Sequence, residues 1–231
     1  MKININVFVI ILAIVSMPLP ATVVAQQPSN HTEALTQTDP VAGTGSPEKH
    51  FKAANKDFIE KDYKSAATEI RKSSKYLHHE AERASGDVKQ ALNESARDLD
   101  KLADKIENKT VKDVKSLHVE FSRANYALAL DHHLKAYDAW VRKEYTNAGY
   151  EIKAAAGSIK NSAMWADRRL DKDASGSVSS SIAMGNKIIS GAADWTRDQV
   201  SDVFRGLGSA LDDLGKKIGS KRHHATVNVN S

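Results

Sequence analysis

The sequence contains no cysteine. That excludes disulfides, cysteine nucleophiles and lipid attachment at a lipobox, so stability has to come from a packed core. No apolar–polar alternation argues for a strand. Beyond Ala25 no run is apolar enough to span a bilayer, which takes about 20 residues. A large excess of one charge is also missing: 33 Lys and Arg stand against 29 Asp and Glu, for a net +4. Both signs are interspersed, which describes a solvated mixed surface and not a nucleic-acid footprint. Gly-x-Ser-x-Gly, Glu-x-x-His and the spacing of a phosphate loop do not occur. The one Ser-x-x-Lys, Ser46 to Lys49, reads as a helix start, with Ser46 as cap and Pro47 at the first helical position. The sequence therefore points away from an enzyme and away from any cofactor.

What is present begins with a targeting segment. Lys2 precedes an apolar stretch from Val7 to Met17, then a Pro18-Leu19-Pro20 break, with Val23 and Ala25 at the small-residue positions before cleavage. Residues 1–25 are expected to be a cleavable secretory signal and the protein periplasmic or secreted. Loss of Lys2 takes the net charge from +4 to +3. Residues 26–46, rich in Gln, Ser, Thr, Pro and Gly, are expected to be a flexible linker. Residues 220–231 are expected to be a disordered basic tail.

Between them the apolar spacing is helical throughout. A short first helix carries Phe51, Ala54 and Phe58 and stops near Asp62, a cap for the second. The second puts Tyr63, Ala66, Ala67, Ile70, Ser74, Leu77, Ala81 and Ala84 on one stripe, and Gly86 and Asp87 are expected to close it and cap the next. The third spaces Val88, Leu92, Ser95, Leu99, Leu102 and Ile106 as a bundle seam. Thr110 and Asp113 resemble a capping box opening a long fourth helix, from Val111 to about Lys143, apolar on two sides and so central. A fifth carries Tyr145, Ala148, Ile152, Ala155, Ile159, Ala163 and Leu170. The Asp173-Ala-Ser-Gly-Ser177 segment is expected to separate it from a last helical region, Val178 to Ile218.

The chain repeats itself. "FIEKDYKSAATEIRK" from Phe58 answers "WVRKEYTNAGYEIKA" from Trp140, and at the offset from Tyr63 to Tyr145 His50 meets His132, Ala54 meets Ala136, Lys61 meets Lys143 and Glu69-Ile70 meets Glu151-Ile152. The fold class expected is all-α, an elongated bundle of antiparallel helical hairpins built by internal duplication, with repeat units of about 47–128 and 129–219. The repeated unit resembles a tetratricopeptide-type hairpin. A small residue (Ala54, Ala136) sits in its first helix, an aromatic (Tyr63, Tyr145) opens its second, and small and apolar residues follow at Ala66 and Ala148, Ile70 and Ile152, Ser73 and Ala155. The resemblance implies closely paired helices and faces that bind protein segments. It departs from that family in its period, since true arrays recur at about 34 residues.

Nine histidines, six of them in doublets, are the remaining chemistry. Adjacent helical residues diverge by about 100°, so a doublet does not chelate from one face. His78 with Glu82 at i+4, completed by His132 from another helix, is the metal candidate. The stretch from Gly176 to Gly219 holds seven of the twelve glycines, each worth about 1 kcal/mol against a helix relative to Ala, so this last region needs contacts to hold it. Two readings follow. It returns across the bundle as the second copy's counterpart of helices three and four, or Trp195, Val200, Phe204, Leu207 and Leu211 meet a partner. Its mixed charges favour a protein over a membrane surface. The functional expectation is an exported binding or scaffold protein acting by protein–protein contacts in envelope stress or assembly. A histidine-based metal-binding protein and a membrane-surface protein docking through residues 178–218 are the alternatives.

Overall fold

A computed structural model describes residues 47–192 and 194–219; the signal segment, linker and tail read from the sequence lie outside the described residues. Seven helices follow one another, α1 (Pro47–Ile59), α2 (Tyr63–Arg83), α3 (Gly86–Glu107), α4 (Lys115–Val141), α5 (Tyr145–Trp165), α6 (Lys172–Ile189) and α7 (Arg197–Lys217). No strand occurs among the described residues, and the fold is an all-α helical bundle. Each helix packs on the next, and short turns make the neighbours antiparallel. α4 is the central helix. Leu117, Phe121, Ala124 and Leu128 are buried on its first half, Leu130, Ala136 and Ala139 on its second, and it packs on α3, α5 and α7.

Local chemistry explains the boundaries. Asp62 caps α2 by accepting from the Ser65 amide at 3.1 Å, and Thr196 and Gln199 form a reciprocal capping box on α7. Several boundaries differ from the sequence expectation. Thr110 does not open α4: its hydroxyl donates to the Lys105 carbonyl at 2.9 Å and closes α3, while Asp113 accepts from the Lys115 amide. Ser85, not Asp87, is the cap residue of α3. α5 stops at Trp165, short of Leu170. The Asp173–Ser177 stretch lies inside α6, because Asp171 accepts from the Ala174 amide at 2.8 Å and starts the helix ahead of it. The last region is two helices, broken at Gly191 with φ +71°.

The sequence offset holds for the whole fold. Tyr63 and Arg83 bound α2 as Tyr145 and Trp165 bound α5. α3 and α6 end at Glu107 and Ile189, and α4 and α7 begin at Lys115 and Arg197. α1 corresponds to the second half of α4, Ala129–Val141. Thus α4 closes one unit with its first half and opens the next with its second, which is why it is apolar on two sides. The turns repeat too. Lys61 (φ 65°) answers Lys143 (φ 62°), and Lys109 (φ 57°) answers Gly191. Polar pairs follow suit, His50–Glu69 at 2.5 Å matching His132–Glu151 at 2.6 Å.

The core runs through both units. Phe51 stacks on Phe121 at 4.4 Å and Trp165 meets Phe121 edge-on. In the second unit Phe204 packs on Tyr137 and Trp140. Glycines set the closest approach of α5 and α6, where Gly149 and Gly185 face each other and a Cβ on Gly185 would lie 2.7 Å from the Gly149 carbonyl oxygen. Ala67 and Ala103, both fully buried, hold the equivalent crossing of α2 and α3.

Candidate functional site

The metal candidate is not assembled. His78 faces α3, with Nδ1 3.3 Å from Asn93 Oδ1 and Nε2 3.6 Å from Asp100. His132 is held by Glu151 of α5, and Glu82 lies near His79, 3.5 Å away. Among the described residues no three His, Asp or Glu side chains gather to hold an ion. The ion-pair positions of the hairpins use these histidines instead.

The expected partner residues of the last region lie mostly inside the chain's own core. Val200, Phe204, Leu207 and Leu211 are buried under α4 and α6, so a partner reaches them only if α7 leaves the bundle. Trp195 is partly buried in an aromatic cluster, 5.3 Å from Trp140 and 5.4 Å from Tyr145 between ring centres. Val200, Phe204, Leu207 and Leu211 belong to a helix that returns across the bundle, with Trp195 just ahead of its start.

Two polar features escaped the sequence reading. The first is a buried ionic network joining the units. Lys135 on α4 donates to Asp131 at 2.5 Å and to Glu80 on α2 at 2.6 Å, and Arg83 donates to both oxygens of Glu80. Glu80 and Asp131 are each only 2% exposed. Burial pushes the Glu80 carboxyl up, but hydrogen bonds from Arg83 and Lys135 outweigh it and hold it below its ordinary value. Burial dominates at Asp131 and raises it. Burial opposes the charge on Lys135, yet the two carboxylates leave its pKa above the usual lysine value. This is a closed set of charges suited to fixing the register of α2 on α4.

The second is a groove of about 930 Å³ between α3 and α4, under the 108–114 turn. Leu102, Val111 and Val119 give it apolar walls, and Lys101, Lys105, Lys112 and Arg123 bring cations to its rim. Lys101 pairs with Asp98 and Arg123 with Glu120. Lys105 faces the same Glu120 carboxylate and acts on it through its charge. Burial pushes the Glu120 carboxyl above its ordinary value, with Arg123 offsetting part of that. The second unit treats the same place differently. Trp195 stands where the first unit has Asp113. The groove was not legible in advance because its walls come from two helices whose facing sides the sequence does not pair.

Comparison with known proteins finds no matching family model, no matching curated protein and no matching solved structure.

Proposed function

We propose that this chain is an exported, non-enzymatic binding or scaffold protein of the bacterial envelope that acts through helix faces by protein–protein contacts. The observation carrying this reading is the α3–α4 groove, about 930 Å³, in which Leu102, Val111 and Val119 lie among charged side chains of both signs. A groove with a small apolar floor and charges of both signs around it suits a polypeptide segment that places an apolar side chain inside and pairs its polar ones with the rim. The tetratricopeptide-type resemblance supports the same role, since its small residues bring helices together and leave paired faces for a partner. The rigid two-unit frame, locked by the Lys135 network, keeps such a face in place.

In-cell photo-cross-linking tests it. A benzophenone amino acid at Val119, which is 44% exposed in the groove, is expected to give discrete protein adducts in the envelope fraction. The same group at Lys89, exposed elsewhere on α3, is expected to give none. No adduct specific to Val119 would remove the reading.

A further inference from the structure

The duplication gives each surface position a counterpart, and the outer faces of the α2–α3 and α5–α6 hairpins differ in one consistent way. On the first hairpin, basic side chains of α2 reach across to carboxylates of α3. Arg71 donates to Asp104 at 2.8 Å and to Glu107 at 2.6 Å, and His78 lies 3.6 Å from Asp100. On the second hairpin the basic positions are kept, as Lys153 and Lys160. The carboxylate positions are not: Asn186, Ile189 and Ile182 stand where Asp104, Glu107 and Asp100 would be. Met164, 51% exposed, replaces Glu82. Neither Lys153 nor Lys160 makes an ion pair among the described residues. The Lys153 stem runs over α6, where its Cγ would lie 2.6 Å from a Cβ on Gly185, so it crosses the hairpin as Arg71 does.

We propose that the outer face of α5–α6 binds an acidic amphipathic helix of another protein, whose carboxylates fill in trans the places that Asp104 and Glu107 fill in cis. This rests on the reading of the chain as a binding protein but not on the α3–α4 groove. Lys153 and Lys160 lie two turns apart, about 10 Å along α5, which matches carboxylates one heptad apart on a partner helix. Met164 and the half-buried Ile182 and Ile189 supply the apolar strip beside them. A second copy is a poor occupant, because the same face would bring Lys153 and Lys160 against their own kind. A lipid surface is also poorly matched. Two lysines contribute about 1 kcal/mol each at an anionic membrane, and only two large side chains on this face of α5, Tyr150 and Met164, stand clear of the surface.

The test measures binding of the exported chain, Gln26–Ser231, to a fluorescein-labelled helical peptide carrying paired glutamates one heptad apart beside leucines. Its glutamine counterpart and vesicles of phosphatidylglycerol with phosphatidylethanolamine are run alongside. The acidic peptide is expected to bind and the glutamine peptide not. Lys153→Glu with Lys160→Glu should weaken binding about tenfold or more, at unchanged helicity and melting temperature. Asn186→Asp with Ile189→Glu, which restores the first unit's carboxylates, should weaken it likewise by satisfying Lys153 in cis. Lys105→Glu in the α3–α4 groove should leave it unchanged. Absence of binding, equal binding of the glutamine peptide, or indifference to both face variants overturns the proposal. So does binding to the vesicles alone. Loss on Lys105→Glu alone would move the site to the groove, overturning the face while sparing the function proposed above.

Discussion

Gly185→Ala and Gly157→Ala make the same chemical change on adjoining helices and should move stability in opposite directions. At Gly185 the new methyl would lie 2.6 Å from Lys153 Cγ and 2.7 Å from the Gly149 carbonyl oxygen. The lysine stem can swing away, but the carbonyl belongs to the backbone of α5, so relief requires α5 and α6 to part. Overpacking of this kind costs about 1–3 kcal/mol. The helix preference for Ala over Gly returns about 1 kcal/mol, leaving a net loss of up to about 2 kcal/mol. At Gly157 nothing lies within 4 Å of the added carbon, so only the propensity gain of up to about 1 kcal/mol remains. For a domain of this size each kcal/mol moves the melting temperature by about 2–4 °C. Thermal melts followed by circular dichroism at 222 nm should therefore show Gly185→Ala up to about 8 °C below the parent and Gly157→Ala up to about 4 °C above it. If both variants rise together, α5 and α6 do not meet through Gly149 and Gly185, and the account of why these helices carry glycine fails.

The buried network makes a second prediction: Lys135→Ala strands Glu80 and Asp131 without their shared cation and should cost about 3–5 kcal/mol in urea unfolding. Lys135→Met combined with Glu80→Gln and Asp131→Asn should recover most of that; a Lys135→Ala loss below 1 kcal/mol would show that the carboxylates find other partners. A third concerns His133, whose Nε2 donates to the Phe204 carbonyl while Nδ1 is buried without a partner. Burial lowers its pKa below the ordinary histidine value, so the unfolded chain takes up the proton first. The stability it supports is present above the unfolded value near 6.5 and is lost as pH falls below it, at up to about 1.4 kcal/mol per pH unit. His133→Phe should flatten the fall in stability between pH 7 and 5, leaving the share of His118, which burial also lowers; an unchanged slope would refute it.

The helices were legible because burial here follows one period: Ile70, Leu77, Ile152 and Ile159 are all fully buried and all sit on the stripes the spacing drew. Breaks were less legible, because a break is a competition between local chemistry and packing. The Ser- and Gly-rich start of α6 reads as a loop by composition, yet Asp171 caps it and α5 packs against its later turns through Gly149 and Gly185. The histidine doublet at His132-His133 shows what the repeat adds. Both residues look alike in the sequence, but the offset places His132 with His50, which pairs with a glutamate, and His133 with Phe51, which is core. Only the second is packed into the core. The surface needed one further step, since the loss of carboxylates opposite Lys153 and Lys160 has meaning only once α3 and α6 are known to lie across from α2 and α5. A duplicated fold carries its own control. Many positions that serve packing stay apolar or small in both copies, as Ile106 and Ile188 or Ala103 and Gly185 do, whereas a cation kept in both copies, as Arg71 and Lys153 are, but left without its anion in one has lost a partner that folding alone supplied in the other. That asymmetry locates the α5–α6 face, and no single-copy reading of the same residues would separate it from ordinary solvated surface.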